Sequence, residues 1–250
     1  MTRFLLAQRT ALALAIGSGM SGTAWGQSLQ TVWTIDADSG SLGERTVARE
    51  DYVFRQRLLP SGMAELAGPL AQVGLAARTQ LVEVQGSDAA VFCDPMLRAQ
   101  KMLGHAQPCL VDADRDGRFE GLFVTTSSTK GILTIAGKLP KKRTAIKPLP
   151  YVRVDVRSFR MPLFVGLQYR GNANPMGNHV FQTNFGSDRS TGALSDRMLI
   201  GKSQLATRRT YLGGEFEVLG SVPSGVKVRI IKPMASQSFS VMKVTTYRIY

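Results

Sequence analysis

Between Cys109 and Val124 the chain reads Cys-Leu-Val-Asp-Ala-Asp-Arg-Asp-Gly-Arg-Phe-Glu-Gly-Leu-Phe-Val. Asp112, Asp114 and Asp116 alternate ahead of Gly117, and Glu120 follows, so four carboxylates crowd one tight turn. A hard cation such as calcium takes about six to eight oxygen ligands, and alternate carboxylates around a sharp glycine turn can surround it. Carboxylates this close repel one another without a cation. The competing reading is an acidic turn that binds nothing, partly neutralised by Arg115 and Arg118.

With Asp112 as position one, Asp114 falls at three, Asp116 at five, Gly117 at six and Glu120 at nine. This resembles the first half of an EF-hand loop. It departs at position twelve, where Phe123 stands in place of a bidentate Glu, and no helix-forming pattern flanks it. The match is closer to the strand-flanked Asp-x-Asp-x-Asp-Gly-x-x-Asp loops of integrin-type FG-GAP repeats and related exported bacterial proteins, with Glu120 replacing the last Asp. The resemblance covers the loop and not the fold. It implies calcium ligation by the side chains of Asp112, Asp114, Asp116 and Glu120 and by the Arg118 carbonyl.

Strand-like residues flank the loop, and Cys109 lies three residues before Asp112. The other cysteine is Cys93. In an oxidising compartment the two most simply form a disulfide, worth roughly 3 kcal/mol for a loop of about 15 residues. A zinc site from Cys93, His105, Cys109 and His179 is the alternative, although Cys-x11-His-x3-Cys matches no usual ligand spacing. Residues 1–26 read as a signal peptide: Arg3 and Arg9 lead into the apolar run Ala11 to Ile16, and Ala24-Trp25-Gly26 offers a cleavage site. That run is too short to span a bilayer, which needs about 20 apolar residues. The expectation is a bacterial periplasmic or secreted protein. Asn-x-Ser/Thr acceptors are absent, and no cysteine stands where lipoprotein acylation would need one.

The net charge of +13 is unevenly spread. Gln27 to Thr125 carries 9 Lys and Arg against 13 Asp and Glu, whereas Thr126 to Tyr250 carries 20 against 5. Residues 27–125 therefore read as an acidic β region holding the disulfide and the calcium loop, and 126–250 as a basic β region, unless 27–250 is one continuous domain. Lys138, Lys141, Lys142, Arg143 and Lys147 cluster with Pro140, Pro148 and Pro150, which predicts an exposed basic loop and argues against a central strand. Such a surface attracts polyanions. An anionic envelope surface or a partner protein fits export better than nucleic acid, although tyrosines interleave the basic half. The bland reading is a solvated face that keeps the protein in solution.

Short apolar or alternating runs separated by Gly, Pro and Ser turns recur along the chain, among them Leu29–Ile35, Val47–Leu59, Leu81–Val84, Ala89–Cys93, Pro162–Tyr169, Glu215–Leu219, Val226–Ile231 and Ser240–Tyr250. Tyr151 to Arg157 alternates strictly, which predicts a half-buried strand with Val152, Val154 and Val156 inward. Met63 to Ala77 admits at most one short helix because Gly68-Pro69 and Gly74 interrupt it, and a helical turn is expected around Leu97 to Leu103. The predicted fold is all-β, an antiparallel sandwich or distorted barrel with at most one or two short helices. No Gly-x-Ser-x-Gly elbow occurs, and Asp196 stands where a phosphate loop ending at Gly201-Lys202-Ser203 needs glycine. No catalytic residues are assigned. The sequence favours a binding or structural role, with a secreted hydrolase acting on a polysaccharide or other polymer as the alternative.

Overall fold

The computed structural model of the protein describes residues 28–96, 98–100, 104–127, 135–172, 177–187 and 190–240. The expected signal peptide lies outside these residues, as does the expected last strand from residue 241 onward. The chain enters through β1 (Leu29–Thr31), β2 (Trp33–Ile35), β3 (Gly43–Val47) and β4 (Tyr52–Pro60). β5 (Met63–Leu66), β6 (Gln80–Gln85), β7 (Ala90–Cys93), β8 (Arg98–Gln100), β9 (Gly104–Asp112), β10 (Arg118–Ser127), β11 (Ala136–Gly137) and β12 (Thr144–Arg153) follow. β13 (Phe164–Asn172), β14 (His179–Ser187), β15 (Ser190–Ile200), β16 (Arg209–Tyr211), β17 (Gly214–Val222), β18 (Gly225–Lys232) and β19 (Ser238–Phe239) complete it. Every pairing is antiparallel, and among the described residues no helix reaches seven residues.

Six of these strands close a ring of pairings. β5 pairs β6, β6 pairs β7, β7 pairs β9, β9 pairs β10, β10 pairs β12, and β12 returns to β5. The sheet thus curls into a small up-and-down barrel. Side chains alternate across a strand, so one set fills the barrel and the other covers its outside. Leu81, Phe92, Leu110 and Phe119 point inward with Leu66 and Leu122, and the rings of Phe92 and Phe119 meet edge to face at 5.8 Å. Val82, Val91, Cys93, Cys109 and Val111 point outward, into a second and larger core.

That larger core is a sandwich. One sheet runs β15-β14-β13-β4-β2-β19 and the other β16-β17-β18-β3. β18 shows the sequence logic plainly: Val226, Val228 and Ile230 are buried, while Lys227 and Arg229 between them face solvent and pair with Glu44. The sheets meet through aromatic rings, Phe54 against Phe216 at 5.5 Å and Phe181 against Phe216 at 6.1 Å. Each such buried ring contributes roughly 1.5–3 kcal/mol. β4 and β13 are neighbours, with Arg57 opposite Phe164. The barrel strands, all between Met63 and Arg153, are therefore carried on the connection between two adjacent sandwich strands.

The all-β prediction holds, with sandwich and barrel both present. Local expectations differ in four places. Lys138 to Pro150 is not one loop, because Thr144–Arg153 forms β12, paired on both edges. The register jumps from Phe119↔Leu149 to Gly121↔Ala145, so Ile146, Lys147 and Pro148 bulge opposite Glu120, and a proline in a bulge needs no ladder donor. Val152 faces solvent at 57 % exposure, while Tyr151 turns inward to stack on Phe119, and Val156 belongs to a 3-10 helix beyond the strand. Arg98–Gln100 are strand rather than helical turn, Leu97 and residues 101–103 lying outside the described residues. The Val47–Leu59 run is split between the end of β3 and β4. The change of charge between Thr125 and Thr126 falls inside β10.

Cys93 and Cys109 stand directly opposite in the β7–β9 ladder, both fully buried, and are disulfide-bonded. A sequence separation of 16 corresponds to about 3 kcal/mol in the chain-entropy model. The Cys93→Ala/Cys109→Ala double variant is expected to lose that amount in guanidinium unfolding. A midpoint equal to that of the oxidised parent would show that the bridge adds nothing to the ladder.

Candidate metal centre

β9 and β10 form a hairpin, Val111 opposite Gly121, and the acidic residues make its tip. The turn needs left-handed backbone at Arg115 (φ 63°) and Gly117 (φ 87°), and glycine removes the Cβ penalty at the second. Asp112, the last residue of β9, is fully buried at the barrel end. Its Oδ1 accepts from the Asp116 amide at 3.2 Å, and its Oδ2 accepts from the Gly117 amide at 3.0 Å and the Tyr151 hydroxyl at 2.9 Å. Burying a carboxylate is costly unless it is hydrogen-bonded, and these three donors meet that need.

The exposed Asp114 Oδ1 also accepts from the Asp116 amide, and Asp116 Oδ1 accepts from the Arg118 amide at 2.8 Å. Asp112, Asp114 and Asp116 each offer a carboxylate oxygen within 4.8 Å of the others, close enough for one metal ion. An ionised carboxylate has about four acceptor positions. Three hydrogen bonds to Asp112 and one each to Asp114 and Asp116 leave capacity for a cation, so the donor set fits one. Glu120 stands apart from this triad, its Oε1 accepting from the Ala113 amide at 2.6 Å. It braces the turn. Arg118 begins β10 beside the triad. Arg115 reaches away from the carboxylates, donating to the Asp88 carbonyl at 2.8 Å and the Ser87 carbonyl at 3.4 Å.

Tyr151 ties the turn to the barrel interior. Its ring stacks on Phe119 at 4.2 Å and lies 5.3 Å from Phe92, while Arg153, two residues on, sits over Phe92 and bonds Glu83 at 2.8 Å. Burial, with the hydrogen bond to Asp112 and its charge, pushes the Tyr151 phenol up to about 12. It stays a neutral donor to Asp112. Sequence reasoning missed this residue, because only the β10–β12 register brings the start of the 151–157 run beside residue 112.

The remaining expected sites lie elsewhere. Lys138, Lys141, Lys142, Arg143 and Lys147 are all exposed, on the approach to β12 and in its bulge. The disulfide consumes both thiols that a zinc site would need. His179 is buried at the start of β14, its Nδ1 at 3.2 Å from the Tyr169 hydroxyl and its Nε2 at 3.4 Å from Ser221 Oγ. Burial lowers its pKa below the ordinary 6.5. Compared with protein-family models, curated proteins and solved structures, the chain matches none.

Two outcomes follow from these geometries. Tyr151→Phe keeps the ring stack but removes one donor from the buried Asp112, at a cost of about 1–3 kcal/mol in denaturant unfolding; unchanged stability would mean that the hydroxyl is not needed. For His179, the folded state favours the neutral ring, so its contribution is full above the unfolded pKa near 6.5 and is lost as pH falls through the lower folded value. Unfolding midpoints measured from pH 7 down to pH 4 should fall less steeply in His179→Gln than in the parent.

Proposed function

We propose that the protein is an exported, calcium-binding and disulfide-stabilised β protein with a structural and binding role, whose basic surface contacts anionic envelope components in the periplasm or outside the cell. The convergence of Asp112, Asp114 and Asp116 within 4.8 Å, on a turn whose first carboxylate is anchored to the barrel, carries this reading. Three hard oxygen donors on an irregular turn suit calcium, which accepts variable coordination, better than magnesium, which demands near-octahedral geometry. Asp112 is fixed by three hydrogen bonds before any ion arrives, so the ion would hold the exposed Asp114 and Asp116 to a rigid point. That is a stabilising role rather than a sensing one.

The exposed group Lys138, Lys141, Lys142, Arg143 and Lys147 supplies the charge for a polyanion, and among the described residues no helix is long and apolar enough to cross a membrane.

Calorimetric titration of calcium into the oxidised protein should show one site. For a dissociation constant of about 0.1 mM, typical of extracellular modules, about 1 mM calcium adds roughly 1.4 kcal/mol of stability by linkage. Asp114→Asn should abolish the effect while leaving the calcium-free protein nearly unchanged. A melting temperature indifferent to calcium, to chelator and to Asp114→Asn would overturn the calcium reading. Retention on an immobilised polyanion should weaken as salt rises, and should fall further in the Lys141→Gln/Lys142→Gln/Arg143→Gln variant; equal retention by the two would remove this surface from the proposal.

A further inference from the structure

Two irregularities, one in each sheet of the sandwich, bring four polar side chains together far from the acidic turn. In β17 the pairing passes from Val218↔Val228 to Gly220↔Lys227, so Leu219 is an extra residue and the strand changes phase. Glu215 and Glu217 lie on the outer face, and a regular strand would place Ser221 there too. The bulge instead sets Ser221 opposite the buried Val226, on the inner side. In β13 the pairing passes from Tyr169↔Phe181 to Gly171↔Val180, so Arg170 is the extra residue. Gly171 takes the positive φ of 96° that glycine tolerates, and Asn172 comes to stand opposite His179.

The hydrogen bonds among these residues have one consistent direction. Asn172 Oδ1 can only accept, and the Tyr169 hydroxyl donates to it at 3.0 Å. That spends the hydroxyl's one proton, so at 3.2 Å its oxygen accepts from His179 Nδ1–H. A neutral imidazole protonated at Nδ1 leaves Nε2 as an acceptor, and Nε2 lies 3.4 Å from Ser221 Oγ. Such bonds are often long in a free enzyme and tighten when substrate binds. Burial lowers the His179 pKa, which keeps the ring neutral at pH 7. Ser221 is exposed while His179 behind it is fully buried, so the hydroxyl can be reached from outside and its base is shielded from water.

We infer that Ser221 and His179 act as nucleophile and general base in taking acyl groups from small carboxylic esters. Ser221 Oγ bonds to the ester carbonyl carbon as its proton passes to His179 Nε2; the carbon–oxygen bond to the alcohol then breaks, and the alcohol leaves with that proton. Water, giving its proton to the same nitrogen, attacks the acyl-serine, and the acid leaves as Ser221 regains its proton. Tyr169 and Asn172 are positioning residues: they hold the tautomer that leaves Nε2 free to accept, the part a base needs oriented by a third group. The inference shares no residue with the calcium turn or the lysine-rich surface, so it stands or falls independently of both.

Treatment of the oxidised protein with p-nitrophenyl acetate, followed by peptide mass spectrometry, tests it. The expected product is an acetyl ester on Ser221 that neutral hydroxylamine removes, unlike the amide formed by direct acetylation of a lysine. Ser221→Ala, at an exposed position, should keep the parental melting temperature and lose this product. In His179→Gln, acetylation of Ser221 should be about a hundredfold slower, the scale of general base catalysis. The tautomer is read on the parent protein, whether or not that variant folds: nitrogen-15 chemical shifts at pH 7 should show His179 protonated at Nδ1. Acetyl groups on lysines alone, an equal rate of Ser221 acetylation in folded His179→Gln, or a proton on Nε2 would each overturn the inference.

Discussion

One buried carboxylate constrains more of this molecule than any other group. Asp112 ends a strand inside the barrel rim, where an unpaired charge would be costly. Its two oxygens take the Asp116 and Gly117 amides and the Tyr151 hydroxyl. The two amides fix the course of the turn, including left-handed backbone at Gly117. The hydroxyl fixes β12, since Tyr151 must point inward to reach Asp112 and Val152 is thereby turned to solvent. A bulge opposite Glu120 then absorbs the residues between the Leu149 and Ala145 pairings and gives Pro148 a place in a strand flanked on both sides.

The barrel is not a free-standing unit. Its interior is small, built largely from Phe92, Phe119 and Leu residues, and a core of that size alone gives limited stability. Its outer face supplies Val82, Val91, Val111 and the disulfide to the sandwich core, so each body completes the other's hydrophobic burial. The pairing of β4 with β13 spans more than a hundred residues of sequence, whereas the barrel strands follow one another as a meander. Local pairings cost less loop entropy.

The sequence made some of this legible because the governing forces are local. Alternation of apolar and polar residues in Val226 to Ile230 depends on one sheet face, and Asp-x-Asp-x-Asp-Gly depends on one turn. Cys93 and Cys109 were readable as a pair because no other cysteine competes. What stayed hidden was relational. Strict alternation from Tyr151 to Arg157 reveals a period and not its phase, and the phase is set by Asp112, thirty-nine positions away. Prolines in Lys138 to Pro150 argue against a ladder only where a donor is needed, and the bulge that removes the need is a property of the β10–β12 register. Glu120 fits a metal-ligand spacing, and its Oε1 also accepts from the Ala113 amide, a bond that no spacing rule records. Closure of the ring is similarly a matter of which edges meet.

The excess of positive charge is likewise more than a total, because lysine and arginine are used differently on this surface. Four of the five cations around the β12 bulge are lysines, exposed point charges on flexible stems that favour diffuse attraction to an extended polyanion. A groove between β4 and the segment entering β13 uses only arginines, whose planar forks are positioned by a ring, by carbonyls and by Glu65. A guanidinium held in place by the fold has already lost freedom that an exposed lysine keeps. A single basic protein can thus carry two electrostatic surfaces of different kinds. The first is a matter of exposed lysine stems near the β12 bulge, whereas the second is set by the register of β4 against β13.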